Sequence, residues 1–115
     1  MNATLFNTPR HEHQQVYQVI YQIPPGRLSS YGIVAAMAGL PGRARWVGRL
    51  LSQLPDDSLL PWFRVINSQG KISFPVGTLS YQRQLEKLIE EGSAEPSGRI
   101  LWRQRRWPDY ASRSR

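Results

Sequence analysis

The sequence centres on the segment Leu60-Pro61-Trp62-Phe63-Arg64-Val65-Ile66-Asn67. It places two adjacent aromatic residues between a proline and an arginine. The proline favours a turn, and the β-branched pair after the arginine favours a short buried strand. Adjacent aromatics most often pack in a hydrophobic core. Other parts of the sequence favour a different interpretation, in which Trp62 and Phe63 line a binding site.

The composition predicts one small globular domain. The chain has 115 residues, of which 40% are hydrophobic, and this size supports a single modest core. No apolar run reaches the length of a membrane span, and the first residues lack the pattern of a signal peptide. We therefore expect a soluble, cytoplasmic protein, associated with the nucleoid if it is bacterial.

The charge predicts an anionic partner. Fifteen lysines and arginines stand against eight acidic residues, which gives a net charge of +7, and nearly all of the cations are arginine. Arginine suits phosphate forks and stacking on bases, so nucleic acid is the leading partner class. Charge alone also fits another anionic surface or a face that is merely soluble.

Cysteine is absent from the sequence. This excludes disulfides, thiolate metal sites and a cysteine nucleophile. His11 and His13 lack metal-ligand spacing, and we expect both on the solvated surface. The sequence predicts neither a metal nor a cofactor.

Helical periodicity predicts a first helix and a last helix that flank the middle of the chain. A disordered lead-in over residues 1–8 is followed by Thr8-Pro9, a helix start signal, and the first helix runs to about Ile23. Residues 79–91 form the last helix, and Gly92 stops it.

Between them, two short helices joined by a tight turn predict a helix-turn-helix. Ser29-Ser30 caps the first of the pair, Gly39 closes it, and Pro41 starts the second. On the second helix Arg45 and Arg49 share the exposed face, with no acidic partner at helical spacing. We interpret this face as a surface for phosphates or bases; the alternative is a plain solvated face.

A β-hairpin is predicted after the aromatic segment. Arg64-Val65-Ile66-Asn67 and Lys71-Ile72-Ser73 flank Ser68-Gln69-Gly70, where the glycine suits a turn position that needs positive φ. A hairpin after a helix-turn-helix is a wing. The expected fold class is therefore mainly α with a small β-hairpin wing, a winged helix-turn-helix.

The composition divides the chain into three parts. We expect the lead-in over residues 1–8, a winged-helix domain over 9–95 with a linker at its end, and a basic extension over 96–115 that starts strand-like at Ile100-Leu101-Trp102. The extension interleaves arginines with tryptophans, at Arg99, Trp102, Arg103, Arg105, Arg106 and Trp107. This pattern suits either packing at the edge of the core or binding to a nucleic-acid backbone.

These segments together resemble the O6-alkylguanine-DNA alkyltransferases. Pro61-Trp62-Phe63-Arg64-Val65-Ile66 is similar to the Pro-Cys-His-Arg-Val motif of their active site, with Trp62 at the cysteine position. That substitution marks the alkyltransferase-like proteins, which bind alkylated guanine in DNA without removing the alkyl group. Two further stretches match in order, Pro24-Pro25-Gly26 followed by Ser30-Tyr31, and Ala44-Arg45-Trp46-Val47-Gly48. The resemblance covers about residues 12–92 and implies a fold like the C-terminal domain of those enzymes.

The resemblance also implies a role for individual residues. Arg45 corresponds to the arginine finger, which enters the duplex from the minor groove and fills the space left by a flipped base. Tyr31 corresponds to the tyrosine that crowds the neighbouring phosphate and turns the nucleotide outward. The DNA-binding set is completed by Ser30, Trp46, Gly48 and Arg49.

Trp62 falls inside the implied lesion pocket, at the place of the reactive thiolate. The pocket set is completed by Pro61, Phe63, Ser73, Phe74 and Val76. Arg64 and Glu91 correspond to structural residues of the family. Dealkylation needs a thiolate activated through a neighbouring histidine, and aromatic residues stand at both positions here. The resemblance therefore implies a non-enzymatic lesion sensor, expected to be a monomer, that signals to the nucleotide excision repair machinery.

The sequence departs from the family pattern at several positions. Trp46 and Arg49 stand where related recognition helices keep small residues, so they either wedge into the minor groove or force a looser approach. Phe63 replaces a histidine, and residues 73–77 lack the Tyr-Ser-Gly-Gly lid of the alkyltransferases.

Two other functions fit parts of the sequence. A winged-helix transcription regulator would read undamaged DNA through Arg45 and Arg49. An enzyme could combine Asp56-Asp57 with His11 or His13. Paired aspartates after a proline are more simply a turn, however, and no motif links them to a histidine.

Overall fold

The computed structural model describes residues 3–109, with side chains described from His11 onward. Five helices and two short strands make up this part of the chain. They are α1 (Ala3–Gln22), β1 (Ser29–Ser30), α2 (Tyr31–Met37), α3 (Ala44–Ser52), β2 (Val65–Ile66), α4 (Leu79–Glu90) and α5 (Trp102–Arg105). None of these helices is long and apolar enough to cross a membrane. The expectation of a mainly helical fold is confirmed.

The first half of the predicted helix-turn-helix is α2, which begins and ends where its caps indicated. The Ser30 hydroxyl oxygen accepts the Ile33 N–H at 3.1 Å and so satisfies one of the free donors of the first turn. Gly39 ends the helix with a φ of 82°. The N–H of Leu40 then returns to the Ala35 carbonyl at 2.8 Å, which closes the C-terminus.

The second half is α3, which packs against α2 but starts later than predicted. It begins at Ala44 and not at Pro41. Gly42 has a φ of 82°, a left-handed conformation that cannot belong to a right-handed helix. Pro41 therefore belongs to the turn between the two helices.

The strand after the aromatic segment pairs differently from the prediction. Val65–Ile66 is bonded in parallel to Ser29–Ser30 and not to residues 71–73. Its two side chains are 1% and 0% exposed, which suits an interior parallel strand and not a hairpin strand with one solvated face. The predicted β-hairpin is therefore wrong.

Asn67 closes a tight turn where the hairpin was expected. Its side-chain oxygen accepts the N–H of Gln69 at 2.9 Å and that of Lys71 at 3.1 Å. Its own N–H donates to the Lys71 carbonyl at 2.9 Å, and Gly70 supplies the positive φ of the turn. These local hydrogen bonds occupy backbone N–H and C=O groups that a longer β-ladder between residues 64–67 and 71–73 would need.

α1 begins at Ala3, inside the segment expected to be a disordered lead-in. Residues 3–8 are helical, and Thr8-Pro9 lies within the helix instead of at its start. A cap residue followed by proline permits a helix to start but does not exclude an earlier start, although a proline inside a helix removes one hydrogen bond and its ring crowds the carbonyl four residues before it. Met1 and Asn2 lie outside the described residues.

Two hydrophobic cores lie beneath these elements. The first joins α1, α2 and α3, and its buried members include Val16, Ile20, Val34, Val47 and Leu50. The second lies under α4, and its buried members include Leu28, Ile66, Ile72, Leu85 and Leu88. Tyr17 packs at the edge of the first core, and burial raises the pKa of its hydroxyl.

The chain after α4 folds back over the domain. Ser93 and Ala94 are buried, so the predicted linker is part of the packed structure. Ala94 pairs with Ile100 in an antiparallel bridge, but the strand-like segment goes no further because α5 begins at Trp102. Residues 110–115 lie outside the described residues, and the domain boundaries stay predictions.

The ion pair of Arg64 with Glu91 ties distant parts of the fold together. Arg64 Nη2 donates to Glu91 Oε2 at 2.5 Å, and Arg64 Nε donates to Oε1 at 3.0 Å. Arg64 Nη1 donates to the Ile23 carbonyl at 3.0 Å, just after α1. Glu91 Oε1 also accepts the Gly26 N–H at 3.1 Å. The two side chains are only 13% and 17% exposed, so water screens the pair weakly.

The environment of Glu91 favours its charged form. Burial alone raises the pKa of Glu91, but the hydrogen bonds from Arg64 and Gly26 and the nearby positive charges outweigh that effect and hold the pKa below its usual 4.5. A carboxyl whose pKa is lowered on folding stabilises the fold above its unfolded pKa. That contribution is lost as the pH falls through the folded value.

We predict that Glu91→Gln lowers the free energy of unfolding at neutral pH by about 1.5–3 kcal/mol, the range for hydrogen bonds to a charged group. The difference from wild type should shrink as the pH falls below 4.5, because the wild-type carboxyl then becomes protonated. Urea unfolding at neutral and at acid pH measures both effects. Glu90→Gln, on an exposed neighbour, is the matched control. A difference that is independent of pH would show that the charge of Glu91 does not stabilise the fold.

Candidate nucleic-acid interface

α3 presents two arginines on the face opposite the first core. Val47 and Leu50 are buried, whereas Arg45 and Arg49, one turn apart, are exposed. Among the residues that the structure describes, neither guanidinium takes part in an ion pair. Two uncompensated charges at this spacing repel each other, and an anionic ligand would remove the repulsion. The face is therefore suited to phosphates.

A cavity of about 410 Å³ opens beside this face, and we call it the front cavity. Its walls bring together residues of the predicted DNA-binding set and of the predicted pocket set: Tyr31, Arg45, Gly48, Trp62, Ser73 and Phe74. The volume lies within the range of about 300–1,000 Å³ that is usual for small-ligand sites. The structure thus joins the two sets at one place.

Tyr31 is held between α3 and the segment that follows Asn67. The Ser73 hydroxyl donates to the phenolic oxygen of Tyr31 at 3.2 Å. A Cβ atom placed on Gly48 would lie 3.9 Å from the Tyr31 ring. An alanine at this position would thus make an ordinary van der Waals contact with the ring, and only a longer side chain would press against it.

Trp62 is a wall between two cavities. It stands on the 3-10 turn Trp62–Arg64, and together with Phe74 it lines both the front cavity and a second one of about 810 Å³, the rear cavity. The two rings meet edge to face, with centroids 6.4 Å apart. Among the described residues Trp62 belongs to neither hydrophobic core. This position favours a site residue over a core residue.

Phe63 and Pro61 line the rear cavity but not the front cavity. The Phe63 ring meets Trp62 edge to face at 6.0 Å and packs against the second core. The cations of Arg64 and Lys87 lie 5.2 and 5.3 Å from its centroid. A phenyl ring in this setting offers no proton acceptor to a neighbouring group.

Trp46 faces α1 and not the front cavity. Its indole packs against the first core, 5.6 Å from the His13 ring and 4.9 Å from the Arg43 guanidinium carbon. Because Trp46 and the buried Leu50 are one helical turn apart, they share a face, and this face is turned away from Arg45. The structure thus shows Trp46 in a packing contact, and its contact with DNA stays a prediction. His13 is half-buried beneath the indole, so it is less solvated than predicted.

Ser30 and Val76 also lie outside both cavities. The Ser30 hydroxyl caps α2 and the residue is 4% exposed, so it positions Tyr31 and is not available to DNA. Val76 is 81% exposed and borders a third cavity beside Trp102. The predictions that Ser30 contacts DNA and that Val76 lines the pocket are therefore wrong.

Sequence analysis missed several residues that line the front cavity: Gly32, Ala44, Leu51, Ser52, Asn67 and Ser68. Asn67 carried a detectable signal, since an asparagine shortly before a glycine often closes a turn. Leu51 carried no such signal, because its spacing is that of the apolar residues of α3.

Comparison with known proteins identifies the family. Residues 11–93 match the family model described as the DNA-binding domain of 6-O-methylguanine DNA methyltransferase. The chain belongs to this family.

Within the family, the chain is similar to alkyltransferase-like members. It is 52% identical over 94 residues to a DNA base-flipping protein of Vibrio parahaemolyticus, which covers 81% of this chain and 92% of that protein. It is 41% identical over 80 residues to alkyltransferase-like protein 1 of Schizosaccharomyces pombe, which covers 70% of this chain and 74% of that protein. A crystal structure of S. pombe Atl1 with damaged DNA containing O6-carboxymethylguanine matches with a TM-score of 0.74 at 35% identity, covering 84% of this chain and 94% of that one. The winged-helix class and the alkyltransferase-like resemblance are confirmed.

The position of Trp62 in this alkyltransferase-like chain predicts a modest effect on stability. Trp62→Ala should lower the free energy of unfolding by less than the about 3–5 kcal/mol that truncating a core tryptophan costs. Ile20→Ala, at a residue that is 0% exposed in the first core, is the comparison and should cost about 2–5 kcal/mol. Urea unfolding of both variants gives the two values. A loss of about 3–5 kcal/mol or more for Trp62→Ala would return Trp62 to the core interpretation.

Proposed function

We propose that the chain is a non-enzymatic sensor that binds O6-alkylguanine in duplex DNA, turns the alkylated base out of the helix and marks it for nucleotide excision repair. The observation that carries this proposal is the front cavity, where the arginine-bearing face of α3 meets an aromatic wall at Trp62. The names of the relatives support it, since one is a DNA base-flipping protein and the structure of another contains damaged DNA.

The duplex would lie against α3. Arg49 is exposed and lines neither the front nor the rear cavity, so it is placed to contact a phosphate. Arg45 is exposed but also lines the front cavity. Its guanidinium can therefore occupy the vacated place in the base stack while the extruded base enters the cavity beside it.

Tyr31 would turn the nucleotide outward. The ring stands at the start of α2, against Gly48, and its hydroxyl reaches Ser73 on the opposite wall. A backbone phosphate that approaches α3 at this point meets the ring directly. The steric conflict is relieved when the nucleotide rotates into the front cavity.

Aromatic rings would hold the extruded base. Trp62 and Phe74 both line the front cavity. Stacking of a base on an aromatic ring is worth about 1–3 kcal/mol, and extruding a base from a duplex costs a few kcal/mol. Stacking therefore offsets much of the cost of extrusion, and an already weakened, alkylated pair needs less compensation.

The site has no thiolate that could accept an alkyl substituent from guanine. The sequence contains no cysteine, and the indole of Trp62 is not a nucleophile comparable to a thiolate. Phe63 supplies no base to activate one. A protein that binds a lesion and leaves it unchanged acts by presenting it to other proteins, and we propose the nucleotide excision repair proteins as the receivers, in the cytoplasm or at the nucleoid of a bacterial cell.

Binding without chemistry is directly testable. We predict that the protein binds a duplex with one O6-methylguanine more tightly than the same duplex with guanine, and that incubation with the alkylated duplex adds no mass to the protein. Fluorescence titration and intact-protein mass spectrometry measure the two quantities. An added methyl group would refute the sensor, and equal affinity for both duplexes combined with a footprint on one undamaged sequence would favour a transcription regulator.

The two arginines of α3 should have different effects. Arg45→Ala should weaken binding to the alkylated duplex more than to the unmodified one and should reduce base extrusion, because no other side chain would fill the vacated stack. A fluorescent base analogue placed opposite the lesion reports the extrusion.

Arg49→Ala is the matched comparison. It should weaken both duplexes about equally and reduce the slope of log affinity against log salt by roughly one unit, as the loss of one phosphate contact does. Identical behaviour of the two variants would mean that Arg45 is not the residue inserted into the duplex.

A further inference from the structure

We propose that the C-terminal segment, residues 99–109, is a positioning element of the lesion site, and that Trp102 acts through the turn at Gly70 to set the width of the front cavity. The family model matches residues 11–93, so this segment follows the matched residues. None of its residues lines the front cavity. Its effect on the site would be transmitted through the two walls of the cavity.

The first wall rests on Trp102. Gly70 has a φ of 78°, and a Cβ atom placed on it would lie 2.9 Å from the Trp102 ring, so the backbone of the turn lies directly against the indole. The same turn begins with Asn67 and Ser68, which line the front cavity. Trp102 itself packs against the second core, which fixes the ring from below.

The second wall is held by the end of the same segment. The Leu28 N–H donates to the Arg105 carbonyl at 2.8 Å, and the Trp107 N–H donates to the Leu28 carbonyl at 2.7 Å. These bonds form the parallel bridge between Leu28 and Arg106 that continues the small sheet. Leu28 is followed directly by β1 and then by Tyr31, so the position of Tyr31 depends on this bridge.

Arg27 strengthens the second attachment. Its Nε donates to the Arg105 carbonyl at 3.1 Å, and its Nη2 donates to the Arg106 carbonyl at 2.6 Å. Between the two attachments the segment is short and stiff, because α5 fills the interval and the Arg106 guanidinium lies 5.4 Å from the Trp102 ring centroid. Trp107 packs against the first core while Trp102 packs against the second, so the segment spans both.

The parallel pairing of Ser30 with Ile66 joins the starts of the two walls, and the other direct link between them is the exposed hydrogen bond from Ser73 to Tyr31, which water can replace. The segment adds a second support behind each wall and so narrows the range of distances between Tyr31 and the opposite wall. An extruded base must fit between the walls, and binding sites lose affinity when their walls are held less accurately than about 0.5 Å. Loosening the segment should thus weaken binding of the extruded base without affecting the arginine face of α3.

The experiment compares Trp102→Ala, the conservative Trp102→Phe and the control Gln104→Ala, which changes an exposed, uncharged residue of α5. Affinities for the O6-methylguanine duplex and for the unmodified duplex are measured well below the unfolding temperature of each variant. We expect Trp102→Ala to lower the preference for the alkylated duplex by about tenfold, as a misplaced cavity wall would. Trp102→Phe should recover most of the preference, and Gln104→Ala should keep the wild-type value.

Two results would overturn the inference. A folded Trp102→Ala variant with wild-type preference would show that the segment only stabilises the fold, and an equal loss on both duplexes would show that it contacts DNA directly. If Trp102→Ala does not fold, Arg27→Met serves instead, since it removes both side-chain bonds to the segment and leaves Trp102 in place. It carries the same expectation for the ratio of the two affinities.

The part of the inference that concerns lesion preference rests on the proposed function, and amide hydrogen exchange tests the rest independently. In the Trp102→Ala variant the N–H groups of Gly70 and Lys71 should exchange faster, and in the Arg27→Met variant the N–H group of Leu28 should. In both variants the N–H groups in the middle of α4 should exchange at the wild-type rate. If the wild type shows no lesion preference but the exchange pattern is found, the proposed function fails and the positioning role stands. If the preference exists and neither exchange nor preference responds to the substitutions, the positioning role fails.

Discussion

The buried ion pair of Arg64 with Glu91 holds the turn on which Trp62 stands. Its guanidinium is bonded both to the carboxylate after α4 and to the Ile23 carbonyl after α1, and the carboxylate also accepts the N–H of Gly26. Charged groups that are largely withdrawn from water are costly to leave without hydrogen bonds, so the network favours the arrangement of the three segments in which all of these bonds are made. This arrangement places Trp62, the aromatic wall of the site, because Trp62 and Arg64 belong to the same turn.

The aromatic residues of the site form an apolar surface suited to binding. Trp62 meets both Phe63 and Phe74 edge to face, and it separates two cavities without belonging to either core. Edge-to-face contacts fix the ring planes, which a stacking partner requires. The chemistry of the site is therefore the burial of another planar, apolar group, and the positive face of α3 supplies the attraction for the backbone that carries it.

Much of the site could be predicted from the sequence, because its signals are local or ordered along the chain. The cap at Ser30, the exposed pair Arg45 and Arg49, and the aromatic residue at position 62 all lie where their patterns indicated. Contacts between distant elements could not be predicted in this way. Trp46 belongs to a motif that predicts a DNA-facing helix, yet its indole packs beside His13 of α1, and the sequence of α3 does not state which element packs against it.

The sequence by itself determined that α1 to α4 exist, where α2 is capped and which face of α3 is basic, because each depends on residues within a turn or two of one another. It also determined the absence of cysteine. Only the tertiary structure decided the partner of Val65–Ile66, the folding of the C-terminal segment over Gly70 and Leu28, and the division of the site into front and rear cavities. Strand partners and aromatic contacts join segments far apart in the chain. Several partners satisfy the same local pattern, and the buried surface and hydrogen bonds of the complete fold select one of them.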